Sequence, residues 1–383
     1  MSKSHRHCQL NSFDEINSPG RQFPQAPRQH KGGIGMLTRR ELLVTATSAL
    51  TVGALGGVAF AEPDEALVAR AREEGSITWY TGIVVNQLVR PVVAGFKQRY
   101  GIDVRFTSVT EAETVLRMRS EANAGQNLAD LFDSSGAVFP PLLASGLVGQ
   151  FQPSNAASFS PDMKDKDGYY TAIYSIYLTT GYNTDLVSEE EAPKGYEDLL
   201  DPKWHGKMAW ADTPALSGPA GFIANVLDIM GDEKGMDYLK RLSTQKIVNV
   251  PGNQRVVLDN VIAGQYPIGL MIYNHQTYIS RAKGAPVKAA RTEPFVGHLG
   301  AIFLAKNAPH PNAARLFIEY LCSPEGQGLV RDAGYPPADP RIPPKEPGTS
   351  PVTAGFKYRM MTPADAGEPL AKWVAIYNEL FKA

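Results

Sequence analysis

The sequence has little cysteine, no block of basic residues and, beyond residue 61, no apolar run that approaches a membrane span. Its two cysteines are Cys8 and Cys322, so residues 62–383 hold only Cys322. A lone cysteine cannot form an internal disulfide, and stability must therefore come from a hydrophobic core. The same residues carry 31 Lys and Arg against 36 Asp and Glu. This mildly acidic balance argues against nucleic acid as a partner.

Sequence motifs of common enzyme classes are missing as well. The chain has no G-x-S-x-G, H-E-x-x-H, P-loop or G-x-G-x-x-G pattern. We therefore expect a protein that is not an enzyme, with no catalytic residue, no cofactor and no metal held by the protein alone. Cys322 follows an apolar predicted helix, so we expect it to be an inert buried thiol.

Near its start the chain contains what we interpret as an export signal at 36–61. Arg39 and Arg40 precede a weakly apolar run, and Ala59-Phe60-Ala61 supplies the small-x-small pattern of a cleavage site. The pattern is typical of twin-arginine signals and predicts cleavage after Ala61 and a periplasmic protein. The alternative is a retained membrane anchor, which the glycines and hydroxyls of the run disfavour. Residues 1–35 are polar and predict either a disordered extension or a stretch upstream of the true start at Met36.

Strand and helix signals alternate through the rest of the chain. We predict strands at 76–81, 102–108, 128–132, 170–182, 267–273, 287–290 and 300–304. We predict helices at 63–74, 91–100, 110–124, 138–144, 219–230, 233–242, 255–263, 311–321, 324–333 and 369–381. The Pro-rich stretch 336–351 is expected to be a surface loop. The first half reads βαβαβα, which predicts an α/β fold with a largely parallel sheet.

Five stretches in the same order resemble bacterial periplasmic solute-binding proteins of ABC importers, of the two-lobed type 2 kind. They are SITWYTG at 76–82, LADLFDSSGAVFPPLLASGLVGQF at 128–151, GYEDLLDPKWHGKMAWADTPALSG at 195–218, GDEKGMDYLKRL at 231–242 and AGQYPIGLMI at 263–272. The similarity covers nearly all of 62–335. It is strongest to the branch that holds ferric-iron, 2-aminoethylphosphonate, thiamine and polyamine binders.

The resemblance implies two α/β lobes with mixed sheets, joined by two crossover strands, and a ligand in the cleft between them. Lobe one would comprise 62–165 and 295–340, and lobe two 170–290, followed by a loop and C-terminal helix at 341–383. The crossovers would fall at 170–182 and 287–297. The implied partners are a small-molecule ligand and the membrane subunits of an ABC permease, and we expect a monomer.

Candidate ligand-binding residues follow the predicted strands or open the predicted helices, where backbone amides point into such a cleft. The alternatives are an ordinary turn glycine for the first pair, helix caps for the serines, and a solvated first-turn arginine. The candidates are Thr81, Gly82, Ser134, Ser135, Ser217, Gly218, Asn253, Arg255, Tyr273 and Asn274. Trp79, Tyr174 and Tyr177 could be aromatic walls of the cleft or lobe core.

The sequence departs from ferric-binding relatives at the positions that hold iron in them. Val84 stands near the family's histidine, Ser135 near its glutamate, and Tyr273-Asn274-His275 replaces its tyrosine pair. A hard ferric ion needs anionic oxygen ligands, whereas these positions offer few. We therefore expect a small organic ligand that bears an oxyanion, such as a phosphonate or carboxylate. Ferric iron carried with an anion or chelator, and an enzyme or sensor on the same fold, are the alternatives.

Overall fold

The computed structural model of the protein describes residues 60–135 and 139–382. The predictions for 1–35 and for 36–59 of the export signal therefore lie outside the described residues. The helices of the described part are α1 Glu65–Glu74, α2 Arg90–Tyr100, α3 Glu111–Asn123, α4 Phe139–Ala144, α5 Pro219–Met230, α6 Asp232–Ser243, α7 Gln254–Ile262, α8 Asn274–Arg281, α9 Pro311–Leu321, α10 Pro324–Asp332, α11 Pro351–Ala354 and α12 Glu368–Phe381.

Ten strands alternate with these helices in the same described ranges. They are β1 Ser76–Thr81, β2 Asp103–Ser108, β3 Leu131–Ser134, β4 Thr171–Asn183, β5 Met208–Ala211, β6 Val248–Val250, β7 Ile268–Tyr273, β8 Val287–Ala289, β9 Phe295–Leu304 and β10 Tyr358–Met360. A π-helical turn at Val85–Val89 leads into α2, and short 3₁₀ turns fill several of the connections.

The strands form one mixed sheet in the order β2-β1-β3-β9-β4-β7-β5-β6, with β8 beside β4 and β10 beside β9. β1 runs parallel to β2 and β3, and β5 runs parallel to β6 and β7. Between these two parallel groups, β9 and β4 are antiparallel to each other and to their outer neighbours β3 and β7. The α/β fold class with mixed sheets is therefore confirmed.

β4 and β9 are the long strands that connect the two halves of the sheet. The start of β4 pairs with β9, and its end pairs with β7 and β8. The first expected crossover, 170–182, coincides with β4. The second expected crossover, 287–297, contains the short β8 and only the first residues of β9, which is the connecting strand. Pro294 precedes β9, and a proline is typical of a strand boundary.

The first half of the sheet has its own hydrophobic core. Trp79 on β1 and Phe96 on α2 both meet the ring of Phe317 on α9, at centroid distances of 5.3 and 4.9 Å. All three side chains are fully buried. The core is built from residues between Leu67 and Leu131 together with residues of β9, α9 and α10. It also contains Ile173 on β4, which lies outside 62–165 and 295–340, so these bounds of lobe one stay a prediction.

The second half has a separate core around Trp210 on β5. The ring of Trp210 meets Phe222 on α5 at 5.9 Å and Phe381 on α12 at 4.8 Å. Tyr377, also on α12, is fully buried and donates its hydroxyl to Asp212 at 2.9 Å. The C-terminal helix therefore completes the core of the second half. The exact lobe boundaries stay a prediction.

Several elements were not predicted from the sequence. β5, β6 and β10 have only three or four residues each, too few to show a period-two pattern. α8 begins directly after β7, at Asn274, where we expected only the end of a strand. Its polar sequence NHQTYISR shows no clear apolar stripe, yet four of its side chains are buried against the rest of the fold.

Candidate functional site

A cleft of about 620 Å³ opens where β1, β3 and β7 end and where β4 and β9 pass between the two cores. Its polar lining combines three carboxyl groups, two phenols, a histidine and hydroxyls from both halves of the sheet. No Lys or Arg is among the lining residues that the structure describes. The polar side chains are Glu111, Glu113, Asp133, Tyr174, Tyr273, His298, Ser108, Thr110, Ser134, Ser135 and Ser217.

The carboxylate of Glu111 accepts hydrogen bonds from both donors of Ser135, its backbone N–H and its hydroxyl. Ser135 donates its backbone N–H to Oε1 of Glu111 at 2.8 Å and its hydroxyl to Oε2 at 2.9 Å. Glu111 reaches this position because it opens α3, whose start is fixed by a capping box between Thr110 and Glu113. These are two of the donors that we expected to hold an oxyanion, and in the structure a carboxylate of the protein itself holds them.

Asp133 is buried at the end of β3, on the floor of the cleft. Gly82 donates its backbone N–H to Oδ1 of Asp133 at 3.0 Å, whereas Oδ2 accepts no hydrogen bond from a described residue. Burial is the main cause that raises the pKa of Asp133 to about 7, whereas the neighbouring side chains of Thr81 and Trp79 and the N–H of Gly82 lower it. Ser134, next to it, is only 4% exposed and its hydroxyl also has no partner among the described residues. The floor therefore holds two unsatisfied polar atoms.

Tyr273 ends β7 and lines the opposite wall. Its hydroxyl donates to Oε1 of Gln254 at 3.4 Å, and Nε2 of Gln254 donates to the carbonyl of Ser217 at 2.7 Å. Burial raises the pKa of Tyr273 above its usual range, and the charge of Glu111 adds to this effect, which places the two side chains within electrostatic reach. Gln254 thus fixes the wall that Tyr273 and Ser217 share.

His298 on β9 joins the connecting strand to the second half. Its Nε2 lies 3.1 Å from the carbonyl oxygen of Leu216, the residue before Ser217. Burial lowers the pKa of His298 to about 4, so the ring is neutral at pH 7 and Nε2 carries the proton that it donates. The sequence analysis did not single out His298.

Five of the ten candidate residues meet in this cleft, namely Gly82, Ser134, Ser135, Ser217 and Tyr273. Tyr174 also lines it, from β4. The side chain of Trp79 instead lies in the first core, and Tyr177 packs between Phe356 and Tyr358 at ring distances of 5.1 Å. The period-two pattern of β4 alone could not distinguish these faces.

The other five candidates are not among the lining residues, and three of them have structural partners beside the cleft. Thr81 is buried, and its hydroxyl accepts from the backbone N–H of Ile83 at 3.1 Å. Gly218 precedes α5, and a Cβ added there would lie 2.2 Å from the carbonyl of Thr213. Asn274 is buried and donates Nδ2 to the carbonyl of Gly348 at 2.9 Å.

The remaining two, Asn253 and Arg255, belong to the start of α7. Asn253 caps this helix, since its side chain accepts from the N–H groups of Arg255 and Val256. Arg255 pairs with Asp259 one turn later at 2.6 Å and lines a second cavity of about 520 Å³, together with His275. The first-turn alternative that the sequence left open therefore describes Arg255, and Asn253 is a helix cap. His275 is buried, which lowers its pKa to about 4.

Glu111, Glu113 and Asp133 are the acidic site residues that the sequence analysis missed. A signal for them was present, because Thr110-x-x-Glu113 is a capping-box pattern directly after a predicted strand. That pattern places acidic side chains at the same sheet edge as the end of β3.

Within the residues that the structure describes, no group of three His, Cys, Asp or Glu side chains is close enough to hold a metal ion. No described helix is both long and apolar enough to cross a membrane.

The arrangement is that of a two-core binding protein with its ligand site between the cores. Residues 92–354 match the family described as bacterial extracellular solute-binding protein. The chain belongs to this family. The resemblance to periplasmic solute-binding proteins of ABC importers is thereby confirmed, and an extracytoplasmic location with a small solute delivered to an ABC permease follows from the family.

Individual relatives are distant. The Fe(3+)-binding periplasmic protein of Serratia marcescens is 26% identical over 267 residues, which is 65% of this chain and 76% of the relative. Iron-bound HitA from Pseudomonas aeruginosa superimposes with a TM-score of 0.66 at 20% identity, over 80% of this chain and 99% of HitA. AfuA from Actinobacillus pleuropneumoniae, with fructose-6-phosphate bound, gives a TM-score of 0.62 at 21% identity over the same 80% and 99%. At these identities the structures confirm the type 2 fold alone.

Proposed function

We propose that the protein is the solute-binding component of an ABC importer for ferric iron, taken up together with a small anion. The observation that carries the proposal is the lining of the cleft. Carboxyl and phenol oxygens converge there, and no described lining residue is basic. We expected an organic oxyanion as the ligand, but the donors at Ser135 are already held by Glu111. The charge of the cleft favours a cation.

Ferric iron is a hard cation that prefers anionic oxygen ligands. Tyr273, Glu111 and Asp133 could supply such oxygens, and a bound cation would lower the pKa of the Tyr273 phenol that burial raises. Since no three acidic or histidine side chains of the described residues form a ready site, the protein needs oxygens from elsewhere. An anion that arrives with the metal would complete its coordination. The names of the Serratia marcescens relative and of iron-bound HitA support this choice of cargo.

Binding would act through closure of the two halves about β4 and β9. Glu111 and Asp133 belong to the first half, whereas Tyr273 and Ser217 belong to the second. A ligand that contacts both walls stabilises the closed form relative to the open form, and the permease would recognise the closed form.

The proposal is tested by titrating the protein with ferric nitrilotriacetate in the presence of phosphate. A tyrosinate–iron charge-transfer band should develop in the visible spectrum, and small-angle scattering should report a smaller radius of gyration. Tyr273→Phe, which removes only the phenol oxygen, should lose the band and weaken ferric affinity by at least about tenfold, the lower end of what an outer-shell partner contributes. Tyr100→Phe, a buried phenol of the first core, is the matched control. Ferric binding that is equally tight in both variants would contradict the assignment of Tyr273.

A second candidate is an organic ligand that bears an oxyanion. Ser134 favours it, because this residue lines the cleft and its buried hydroxyl has no partner among the described residues. AfuA, which was solved with fructose-6-phosphate, shows that the fold also accommodates such ligands. Calorimetry with phosphate and 2-aminoethylphosphonate in the absence of iron distinguishes the candidates. Metal-free binding tighter than ferric binding would favour the oxyanion.

We further propose that the protein is a monomeric binder and not an enzyme. Cys322 is fully buried, and burial raises the pKa of its thiol well above the usual range, so it is a poor nucleophile. Cleavage after Ala61 stays a prediction, and mass spectrometry of the exported protein measures it. Light scattering of the same sample reports the oligomeric state.

A further inference from the structure

Glu111 is held in the cleft in the way that a bound carboxylate would be. Both of its oxygens accept from one residue, the backbone N–H and the hydroxyl of Ser135 at 2.8 and 2.9 Å. Hydrogen bonds to an ionised acceptor are about twice as strong as neutral ones, and two parallel bonds also fix orientation. The two residues come from different elements, the start of α3 and the end of β3, so their contact is a tertiary feature of the cleft.

The surroundings of this contact are incomplete. Ser134 and Asp133 line this cleft, and the hydroxyl of Ser134 and Oδ2 of Asp133 are buried without a hydrogen-bond partner among the described residues. Buried polar atoms without partners are unfavourable, and a ligand that satisfied them would gain affinity. Ser134 offers a donor and Asp133 offers an acceptor. A ligand with an anionic part and a cationic part fits both.

The charges around Glu111 favour its release from Ser135 when a cation enters the cleft. Glu113 carries like charge, Asp133 carries it when it is ionised, Tyr273 is a neutral phenol, and no described lining residue is Lys or Arg. Among the described residues, the Glu111 carboxylate therefore accepts hydrogen bonds from neutral donors alone. Like charges that share a site repel each other, and a cation in the cleft would relieve the repulsion.

We propose that Glu111 is an internal occupant of an oxyanion subsite and a specificity-determining residue, which changes partners when the ligand binds. The inference rests on the proposed function and names the selectivity of that same cleft. An oxyanion that arrives with the metal takes the N–H and hydroxyl of Ser135 together with the hydroxyl of Ser134. The released Glu111 carboxylate turns to the cation. A free anion is excluded because it must displace Glu111 with no cation to receive it.

The experiment measures binding of inorganic phosphate to the purified full-length chain without iron, by calorimetry. Glu111→Ala vacates Ser135 and should bind phosphate at least about tenfold more tightly than the wild type, because the subsite no longer has to be emptied first. Glu113→Gln removes one carboxylate from the same cleft but preserves the capping box, so it measures the effect of charge alone. The increase in phosphate affinity should be smaller for Glu113→Gln than for Glu111→Ala.

The double variant Glu111→Ala with Ser135→Ala should lose the increase in phosphate affinity, because the hydroxyl of Ser135 is one of the donors that form the subsite. Circular dichroism and thermal unfolding of each variant confirm that it is folded. No gain in folded Glu111→Ala, or an equal gain in Glu113→Gln, overturns the inference. The result is independent of the proposed cargo. A wild type that binds no ferric iron, combined with a phosphate gain in Glu111→Ala, would refute the iron proposal and retain the subsite.

Discussion

At the scale of single residues, Asp133 has the environment with the clearest energetic consequence. A carboxyl group in water titrates near pH 4, whereas burial raises the pKa of Asp133 to about 7. The folded protein therefore keeps a proton between these pH values that the unfolded chain has lost. Stability must fall as the pH rises through that window, by up to roughly 4 kcal/mol, and the loss is complete above pH 7.

Asp133→Asn should remove this loss, because the amide oxygen still accepts from Gly82 and no charge has to be buried. We expect the ligand-free variant to exceed the wild type in unfolding free energy at pH 8, and the difference to shrink at pH 5. Urea denaturation at the two pH values measures it. A difference that does not depend on pH would show that Asp133 does not titrate in this window.

At the scale of secondary structure, the pairing of β4 with β9 decides which side chain of β4 lines the cleft. Tyr174 on β4 is the register partner of Gly300 on β9. A Cβ added to Gly300 would lie 2.1 Å from Cζ of Tyr174, so only glycine leaves room for the ring across the strand. This glycine lets an aromatic side chain line the cleft at the point where the two halves connect.

Gly300→Ala should therefore displace the Tyr174 ring and destabilise the protein by about 1–3 kcal/mol. The double variant with Tyr174→Ala should recover part of that loss, since the clashing ring is gone. Urea denaturation of both single variants and the double variant gives the coupling free energy. Strictly additive effects would show that the two residues do not compete for this space.

The element scale also shows where prediction from the sequence succeeded. Long, strongly patterned elements such as β4 and α9 were predicted within one or two residues. Short strands such as β5 and β6 have no periodic signal and depend on neighbours for their pairing. Asn253 and Arg255 illustrate a similar limit, because the same residues suit a helix start and a ligand cleft. Only the position of α7 relative to the cleft distinguishes the two roles.

At the scale of the whole molecule, stability comes from two cores and from no disulfide among the described residues. Cys322 is the free cysteine of that part, and it lies fully buried in a small apolar cluster between Ala172 on β4 and Leu299 on β9. Burial raises the pKa of its thiol, so the reactive thiolate is scarce.

Cys322 should consequently resist iodoacetamide in the native protein and react fully in urea. Peptide mass spectrometry locates the label and separates Cys322 from Cys8. Rapid labelling of native Cys322, with the rest of the chain protected from exchange, would contradict its burial and reopen the possibility of thiol chemistry.

The sequence by itself determined the α/β class, the family and five of the residues in the cleft, because these depend on local patterns and on the order of motifs. It also indicated export and the absence of an internal disulfide in residues 62–383. The tertiary structure decided the charge of the cleft. Glu111 reaches Ser135 across 24 residues of chain, and Asp133 is desolvated only after the sheet and helices assemble. Contacts and burial of this kind are long-range properties, which no local pattern contains.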